Sequence, residues 1–532
     1  MAIPTLAMIP SGYKLNKVYS VLPTDGSGDL ITARTTTARR VNSGGLIEEV
    51  AIGVPRLDYT DGSCPSLLLE PSSTNLITQS ESFANTYWNK SGASIQGDAS
   101  TAGAEKATNG NFASSSDWAI VNSDSNATSA IANGYLKLKT SGIFTQASQN
   151  MSLVVGNTYK LTYEILSSDG GNLGLINSNN ITTLIPSSVG FHTIYFQPNN
   201  GTFALKRYSG ALDVQIDNVS VKEVSGFSAP SVDSTLGAFK LVEGTSNGAH
   251  RISKTALANG ASSSTDFTYS IIAKKDDRDF ILLKTVINGQ SVTVNVWFDL
   301  ANGVVGTQTN GTGKIESLAN GFYRCSASFS TDATATSLNV YAYLAGSDNS
   351  ENYTGDGTSG VYIFASQLEQ KSSATSYIKT SGTTISRTAD SASLFNLDTN
   401  NIVNDSGAWT VFFELELLSN NSPSDKIALT DSTNTPRVYL YGSSVGVDGS
   451  SWTGGTSIPM NTNNKIIYRA NSDKNISFFN NGTNLVTMIS SDTSIVFNRI
   501  ILNGANGAFR IKQIQVFNST LSDSECVTLT TI

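Results

Sequence analysis

Tyr159-Lys160-Leu161-Thr162-Tyr163-Glu164-Ile165-Leu166 decides the reading of the chain. Apolar and polar residues alternate with a period of two. Successive side chains of a strand point to opposite faces, so this pattern predicts a β-strand with one face in a core. The same alternation recurs in Tyr135-Leu136-Lys137-Leu138-Lys139, in Phe191-His192-Thr193-Ile194-Tyr195-Phe196 and across 214–221. Gly, Asn and Ser turns bound each run, so residues 107–225 read as one all-β sandwich.

Working outward, residues 226–388 repeat that plan. Strand-like runs occur at 267–273, 292–298, 321–327 and 338–344, and 361–369 closes the unit as 214–221 closes the first. Residues 389–532 form another unit, opened by Trp409-Thr410-Val411-Phe412-Phe413-Glu414-Leu415-Glu416-Leu417. Asn481-Gly482 is a tight-hairpin dipeptide. Ser522 with Glu525 three residues on predicts a capped helical turn at the close. Residues 1–77 differ. Short apolar pieces such as Leu67-Leu68-Leu69 alternate with turn signals at Asp25-Gly26, Pro55, Asp61-Gly62, Pro65 and Pro71. An extended segment that gains order by packing on a partner subunit is expected there.

Charged residues make up 14% of the 532 residues, against about 25% in an average domain. Ser, Thr, Asn and Gly fill the gap, which favours sheets and turns over helices. The net charge is -8. No basic patch with interleaved aromatics occurs, which argues against nucleic-acid binding. No apolar run reaches the length of a membrane span, and the first ten residues lack the pattern of a secretory signal. Cys64, Cys325 and Cys526 are too few and too scattered for a disulfide framework or a metal site.

Several stretches carry family resemblances. Asn111-Phe112, Trp118, residues 156–165 and the closing 214–224 resemble the jelly rolls of family 4/9 carbohydrate-binding modules. Residues 516–525 resemble the end of concanavalin A-like (laminin-G-type) domains. The stretch from Ala38-Arg39-Arg40-Val41 through Pro55-Arg56-Leu57-Asp58-Tyr59 to Thr74-Asn75-Leu76 resembles the segment that precedes lectin-like sandwiches in bacteriophage fibre and other virion surface proteins. In the carbohydrate-module pattern, Trp88-Asn89-Lys90-Ser91 leads directly into a strand like 237–243. Here residues 107–225 intervene. The resemblance therefore implies an inserted domain, 107–225, within a host formed by 78–98 plus 226–388; the alternative is a tandem array with a short N-terminal strand.

The resemblances together imply an all-β chain: an extended N-terminal anchor, residues 1–77, then three β-sandwiches of jelly-roll or concanavalin A-like type, one inserted in another. They imply a virion surface location for a protein made in the host cytoplasm. Leu46, Ile47, Leu67, Leu68 and Leu69 would seat on other virion proteins or a sister subunit, the sandwiches would bind host-surface glycans, and the assembly would be a homotrimer.

Catalytic chemistry is hard to find. His192 and His250 have no partner spacing for a metal. Glu414 and Glu416 share a strand face, but the Glu-x-Asp-x-x-Glu signature of laminarinase-type enzymes is missing, so a solvated face is expected. Asp276, Asp277 and Asp279 cluster with three basic neighbours; oxygen ligands for calcium are one reading, and a solvated turn is the better one. No enzyme activity, cofactor, metal or membrane insertion is expected. Binding residues are sought instead among aromatics in polar loops. Trp452 lies in a Gly-rich loop and suits either an exposed platform or a lid on its own sheet. Tyr353 and Tyr208 are similarly placed, and Asp356 suits either a ligand contact or a turn. The rival readings are a structural head fibre or other decoration protein, a bacterial adhesin and a polysaccharide depolymerase.

Overall fold

The computed structural model describes all residues except 1, 124, 179–180, 235, 259–263, 291, 404–406, 420–424, 435, 442–443, 448–457, 474, 490–496 and 532. The described chain is almost wholly antiparallel β, with one α-helix, Asp523–Thr530. That helix carries the expected Ser522–Glu525 capping box. Asn481 and Gly482 take positive φ of 46° and 82° between the strands Asn475–Asn480 and Thr483–Ile489, as a tight hairpin requires.

Residues 107–225 form a sandwich of two five-stranded sheets. The strand Thr158–Ser168 turns Tyr159, Leu161, Tyr163 and Ile165 into a core shared with Leu136, Leu138, Phe203 and Val214. The chain enters and leaves this unit at one place: Asp98 bridges Ser225, and Glu105 bridges Lys222.

The strands on either side of that unit belong to a second sandwich. Asn89–Ser91 pairs with His250–Ala258, and Ala93–Gln96 pairs with Phe239–Glu243. Its first sheet continues through Ser337–Ala345, Phe280–Asn288, Val292–Asp299 and Val304–Thr309. Its second continues through Gly360–Glu369, Thr265–Lys275, Tyr323–Thr331 and Thr312–Ser317. Trp88, 1% exposed, packs with Phe83, Ile281 and Phe298 in the core between these sheets. Its indole N–H donates to the Gln79 carbonyl at 3.0 Å.

The N-terminal segment is folded rather than extended. Its strands complete both sheets of the third sandwich. In one sheet, Ser66–Leu69 and Leu6–Met8 pair with successive parts of Phe509–Phe517. In the other, Leu30–Ala33 pairs with Ser391–Leu394. The physical reason is the edge. Without these strands Phe509–Phe517 would show unpaired N–H and C=O groups over an apolar core. Leu67 and Leu69 enter that core beside Leu415, Phe509 and Ile511. Leu68 faces the opposite way into an interdomain cleft. Ile47 packs against Ala238, Ile272, Phe322 and Phe364 of the second sandwich, and Leu46 beside it is half-buried. Four of the five residues expected to anchor the particle are thus buried within the chain itself.

A charged cluster fastens the segment. The Arg56 side chain is fully buried; it donates to Glu70 at 2.6 Å and pairs with Asp390. Arg34 reaches Asp390 at 3.1 Å and Arg387 reaches Glu70 at 3.3 Å. Ser376, from the second sandwich, donates its backbone N–H and its hydroxyl to Glu70, each at 2.7 Å. Burying these ions is costly unless each is paired and hydrogen-bonded, and here both carboxylates are.

Candidate functional site

A two-sheet sandwich has two outward faces. In the second sandwich one of them is covered. Ile272, Phe322, Phe364 and Tyr377 pack there with Ile47. Beside them, Lys314, Glu316 and Arg324 line a cleft shared with Arg510 of the third sandwich.

The other outward face is partly covered: residues 346–352 cross one of its rows and leave the next more accessible. The register places Asn89, Ser253, Tyr341, Lys284, Asn295 and Thr309 opposite one another in turn. These six residues make one row across all six strands. At about 4.8 Å per strand the row spans about 24 Å. Their chain neighbours Ile252, Ala342, Leu283, Val294 and Val296 point the other way into the core, which fixes the row outward. Asn89 and Thr309 at its ends are exposed, Tyr341, Lys284 and Asn295 are half-buried, and Ser253 is buried.

The adjacent row reads Ser91, Arg251, Tyr343, Leu282 and Trp297. Leu282, Tyr343 and Trp297 cluster there with Ala345. Residues 346–352 cross above them. The Ser350 carbonyl receives the Trp297 indole N–H at 3.5 Å, and Glu351 holds the Lys284 ammonium at 2.8 and 2.9 Å. Asp348 accepts from the Thr307 backbone and hydroxyl, both at 2.9 Å. This strap shields Trp297 and fixes the Lys284 head. The Arg251 guanidinium lies over Tyr341 and Tyr343, 4.9 and 5.1 Å from the ring centres, and donates to the Tyr343 hydroxyl. Burial pushes that hydroxyl up to about 12, with Arg251 pulling the other way. Asn295 Oδ1 is buried without a partner among the described residues.

A half-buried aromatic ring, two amides and the Thr309 hydroxyl in one line, beside an ammonium held by Glu351, offer a stacking surface and hydrogen bonds of both senses. That suits a polyhydroxylated chain, whose faces are apolar and whose rims are hydroxyl.

The residues expected to bind from the sequence lie elsewhere. Tyr353 is half-buried, and its hydroxyl donates to Glu243 at 2.6 Å. Arg278 grips the same carboxylate through Nε at 2.8 Å and Nη2 at 2.6 Å. Burial raises the Glu243 carboxyl, but the bonds from Arg278 and Tyr353 outweigh it and hold it below the usual range. Asp356 caps its own loop. It accepts the backbone N–H groups of Thr358 and Ser359, each at 2.7 Å, and the Ser359 hydroxyl at 2.6 Å. Both residues shape this loop, so neither stands out as a platform. Tyr208 is 46% exposed, on the inserted sandwich and apart from the open face. Trp452 lies outside the described residues.

Other candidates are also accounted for. His250 is buried, with its ring nitrogens on the Gly92 and Tyr353 carbonyls at 2.5 and 3.1 Å. His192 sits at 2.6 Å from the Ser188 carbonyl. Glu416 binds Arg510 at 2.9 Å, and Glu414 accepts from Asn463 at 2.9 Å. Asp276 and Asp277 both pair with Lys240 at 2.6 Å. No group of three metal-ligating side chains occurs among the described residues. Sequence reasoning missed Tyr341, Lys284, Asn295 and Arg251. The available signal was the alternation in Val294-Asn295-Val296-Trp297 and Tyr341-Ala342-Tyr343, which marked strands without telling which face stays open.

No protein-family model matches the chain, and no curated protein does. Solved structures similar to it include the tandem CBM22 domain of Paenibacillus barcinonensis Xyn10C, at 12% identity and a TM-score of 0.18, covering 52% of this chain and all of that one. A putative secreted protein from Parabacteroides distasonis matches at 10% identity and a TM-score of 0.12, covering 65% of this chain and all of that one. TM-scores this low do not establish a shared fold, and the site is read from its own residues.

Proposed function

We propose that this chain is a glycan-binding protein and that the open face of the second sandwich is its binding surface. The observation that carries the reading is the six-strand row from Asn89 to Thr309, built of amides, hydroxyls, one tyrosine and one lysine. Binding rather than catalysis is the activity inferred.

The setting we infer is a bacteriophage fibre or other virion surface protein that attaches to host-surface glycans, with three copies multiplying weak contacts. The support is the resemblance carried by residues 38–76. Because those residues are folded into the chain, the buried leucines are not proposed as the contact with other virion proteins. Detection of the chain in purified particles tests the setting.

The binding surface is tested separately by titrating the full chain on a glycan panel. Tyr341→Ala is expected to weaken the best ligand at least tenfold, while Tyr208→Ala leaves it unchanged. Equal binding by wild type and Tyr341→Ala would sink the reading.

A further inference from the structure

The second sandwich, the third sandwich and the N-terminal segment meet around a small cavity of about 90 Å³. Ile47, Leu68, Ile272, Leu318 and Leu418 give it apolar walls. It adjoins a wider groove of about 690 Å³ between the second and third sandwiches, and the two share Lys314, Ser328, Ser373 and Leu418. Hydroxyls and amides line the groove, among them Asn310, Thr312, Ser330, Ser372, Ser419 and Asn461.

Four arginines reach the cavity. Arg39 pairs with Glu49 at 3.2 Å, Arg40 with Glu48 at 2.7 Å and Arg510 with Glu416 at 2.9 Å. Arg324 differs: among the described residues no hydrogen bond or ion pair reaches any of its nitrogens. Its Nη2 is buried, while Nε and Nη1, equally unbonded, are not. The register sets Glu316 directly across from Arg324, where opposite side chains start about 5 Å apart. Lys314 holds the Glu316 carboxylate at 3.1 Å. Burial raises the Glu316 carboxyl, but Lys314, Arg324 and Arg510 hold it below its usual range. One wall therefore presents free donors beside a charged acceptor.

The surrounding charges decide against an anion. The wall of the second sandwich carries Lys314, Arg324 and Glu316, and the facing wall carries Arg510 with Asp58, Asp61 and Glu416. Glu70 is already held by Arg56 and Arg387. Carboxylates outnumber the cations, so a further negative group would lack a partner. A neutral amide fits instead. Its carbonyl accepts from the guanidinium, its N–H donates to the carboxylate, and a methyl beside it meets the apolar walls. The cavity is smaller than the roughly 150 Å³ that admits benzene. That leaves room for an acetamido group and not for a sugar ring, whereas the groove outside has room for a chain and the hydroxyls to meet it.

We infer that this cleft is a second glycan site, for N-acetylated sugars such as chains of N-acetylglucosamine, with the chain in the groove and one acetamido group between Arg324 and Glu316. The inference rests on the glycan-binding reading above for the kind of ligand, but uses none of the residues of the outward face.

The full chain is titrated calorimetrically with the β-linked tetrasaccharide of N-acetylglucosamine and with cellotetraose, which carries hydroxyls in place of the acetamido groups. The N-acetylated chain is expected to bind at least tenfold tighter. Arg324→Met, which keeps the length and removes the donors, should weaken that binding at least tenfold at an unshifted unfolding midpoint. Amide hydrogen exchange on the wild-type chain needs no variant: the N-acetylated tetramer should slow exchange in 310–316 and 324–330.

Equal binding of the two tetramers overturns the inference, as does undiminished binding to a folded Arg324→Met chain. Protection confined to the strands of the outward face, with binding lost in Tyr341→Ala, overturns it and leaves the glycan-binding reading standing. Binding of N-acetyl-trialanine as tight as that of the sugar would give the cleft to a peptide and overturn the ligand class. Binding of no glycan at all overturns both.

Discussion

Residues 1–77 and residues 107–225 are both additions to a sandwich, and they are built in opposite ways. The inserted unit closes two sheets around its own core and touches its host through paired stems at Asp98 and Ser225. The N-terminal segment has no such core. Leu6, Met8, Leu30, Leu67 and Leu69 are spent on sheets that begin more than 300 residues later in the chain, at Ser391–Leu394 and Trp409–Leu417, and Ile47 on the second sandwich. A segment of short strands gains stability only by joining a larger sheet, since isolated hairpins are marginal in water. A segment of long alternating strands can stand alone.

Deletions give the largest contrast. Replacing 99–224 by a short Gly/Ser linker is expected to leave a soluble chain whose thermal unfolding, followed by far-UV circular dichroism, shifts by only a few degrees. The ends already meet, with the Asp98 N–H on the Ser225 carbonyl at 3.0 Å, so closure is undemanding. Deleting 1–77 is expected to give insoluble or unfolded protein, because it uncovers the edge of Phe509–Phe517 and the core under Leu67 and Leu69. A well-folded product lacking 1–77 would break the comparison.

Arg56→Ala should be the most damaging single change in the N-terminal segment. It leaves Glu70 and Asp390 buried with one cation fewer. Breaking one partner of a buried ion pair costs about 3–5 kcal/mol, readable as a lower urea midpoint. A loss below 1 kcal/mol would show that Arg34 and Arg387 can compensate.

The same cluster predicts an acid limit. Burial pushes the Glu70 carboxyl up, but Arg387 and Arg56, with the hydrogen bond from Ser376, hold it well below its ordinary value of 4.5. A carboxyl lowered by folding stabilises the native state above its unfolded value, and that contribution fades as pH falls through the folded one. Stability is therefore expected to decline progressively below pH 4.5. Glu70→Gln should lower stability at neutral pH and flatten that slope. An unchanged slope would mean that other carboxylates set the acid limit.

The inserted unit was legible in the sequence because its pairings are local and its alternation is unbroken, as at Tyr159, Leu161, Tyr163 and Ile165. The partnership of Leu67 and Leu69 with Ile511 and Phe509 was not, since a three-residue apolar run carries no sign of its partner. The open face was half legible. Alternation told that Asn295 and Trp297 share one side of their strand. Which side stays uncovered depends on where Ile47 packs and where residues 346–352 cross, and both are tertiary events.

Thiol labelling offers the smallest and most local contrast. Cys64 is exposed, in the turn between the strands Leu57–Asp58 and Ser66–Leu69, while Cys325 and Cys526 are buried. The thiolate is the reactive form, and burial suppresses both access and ionisation. Burial raises the Cys526 thiol to about 11 and moves Cys325 still further up. A maleimide at pH 8 should therefore modify Cys64 alone in the native chain, as counted by intact mass. Because that side chain enters no core, labelling should leave the unfolding midpoint where it was. If the N-terminal segment and the third sandwich are one unit, Cys526 stays protected until the strands around Cys64 also come apart. Rapid native labelling of Cys526 would mean that the last helix opens independently of the sheets beneath it.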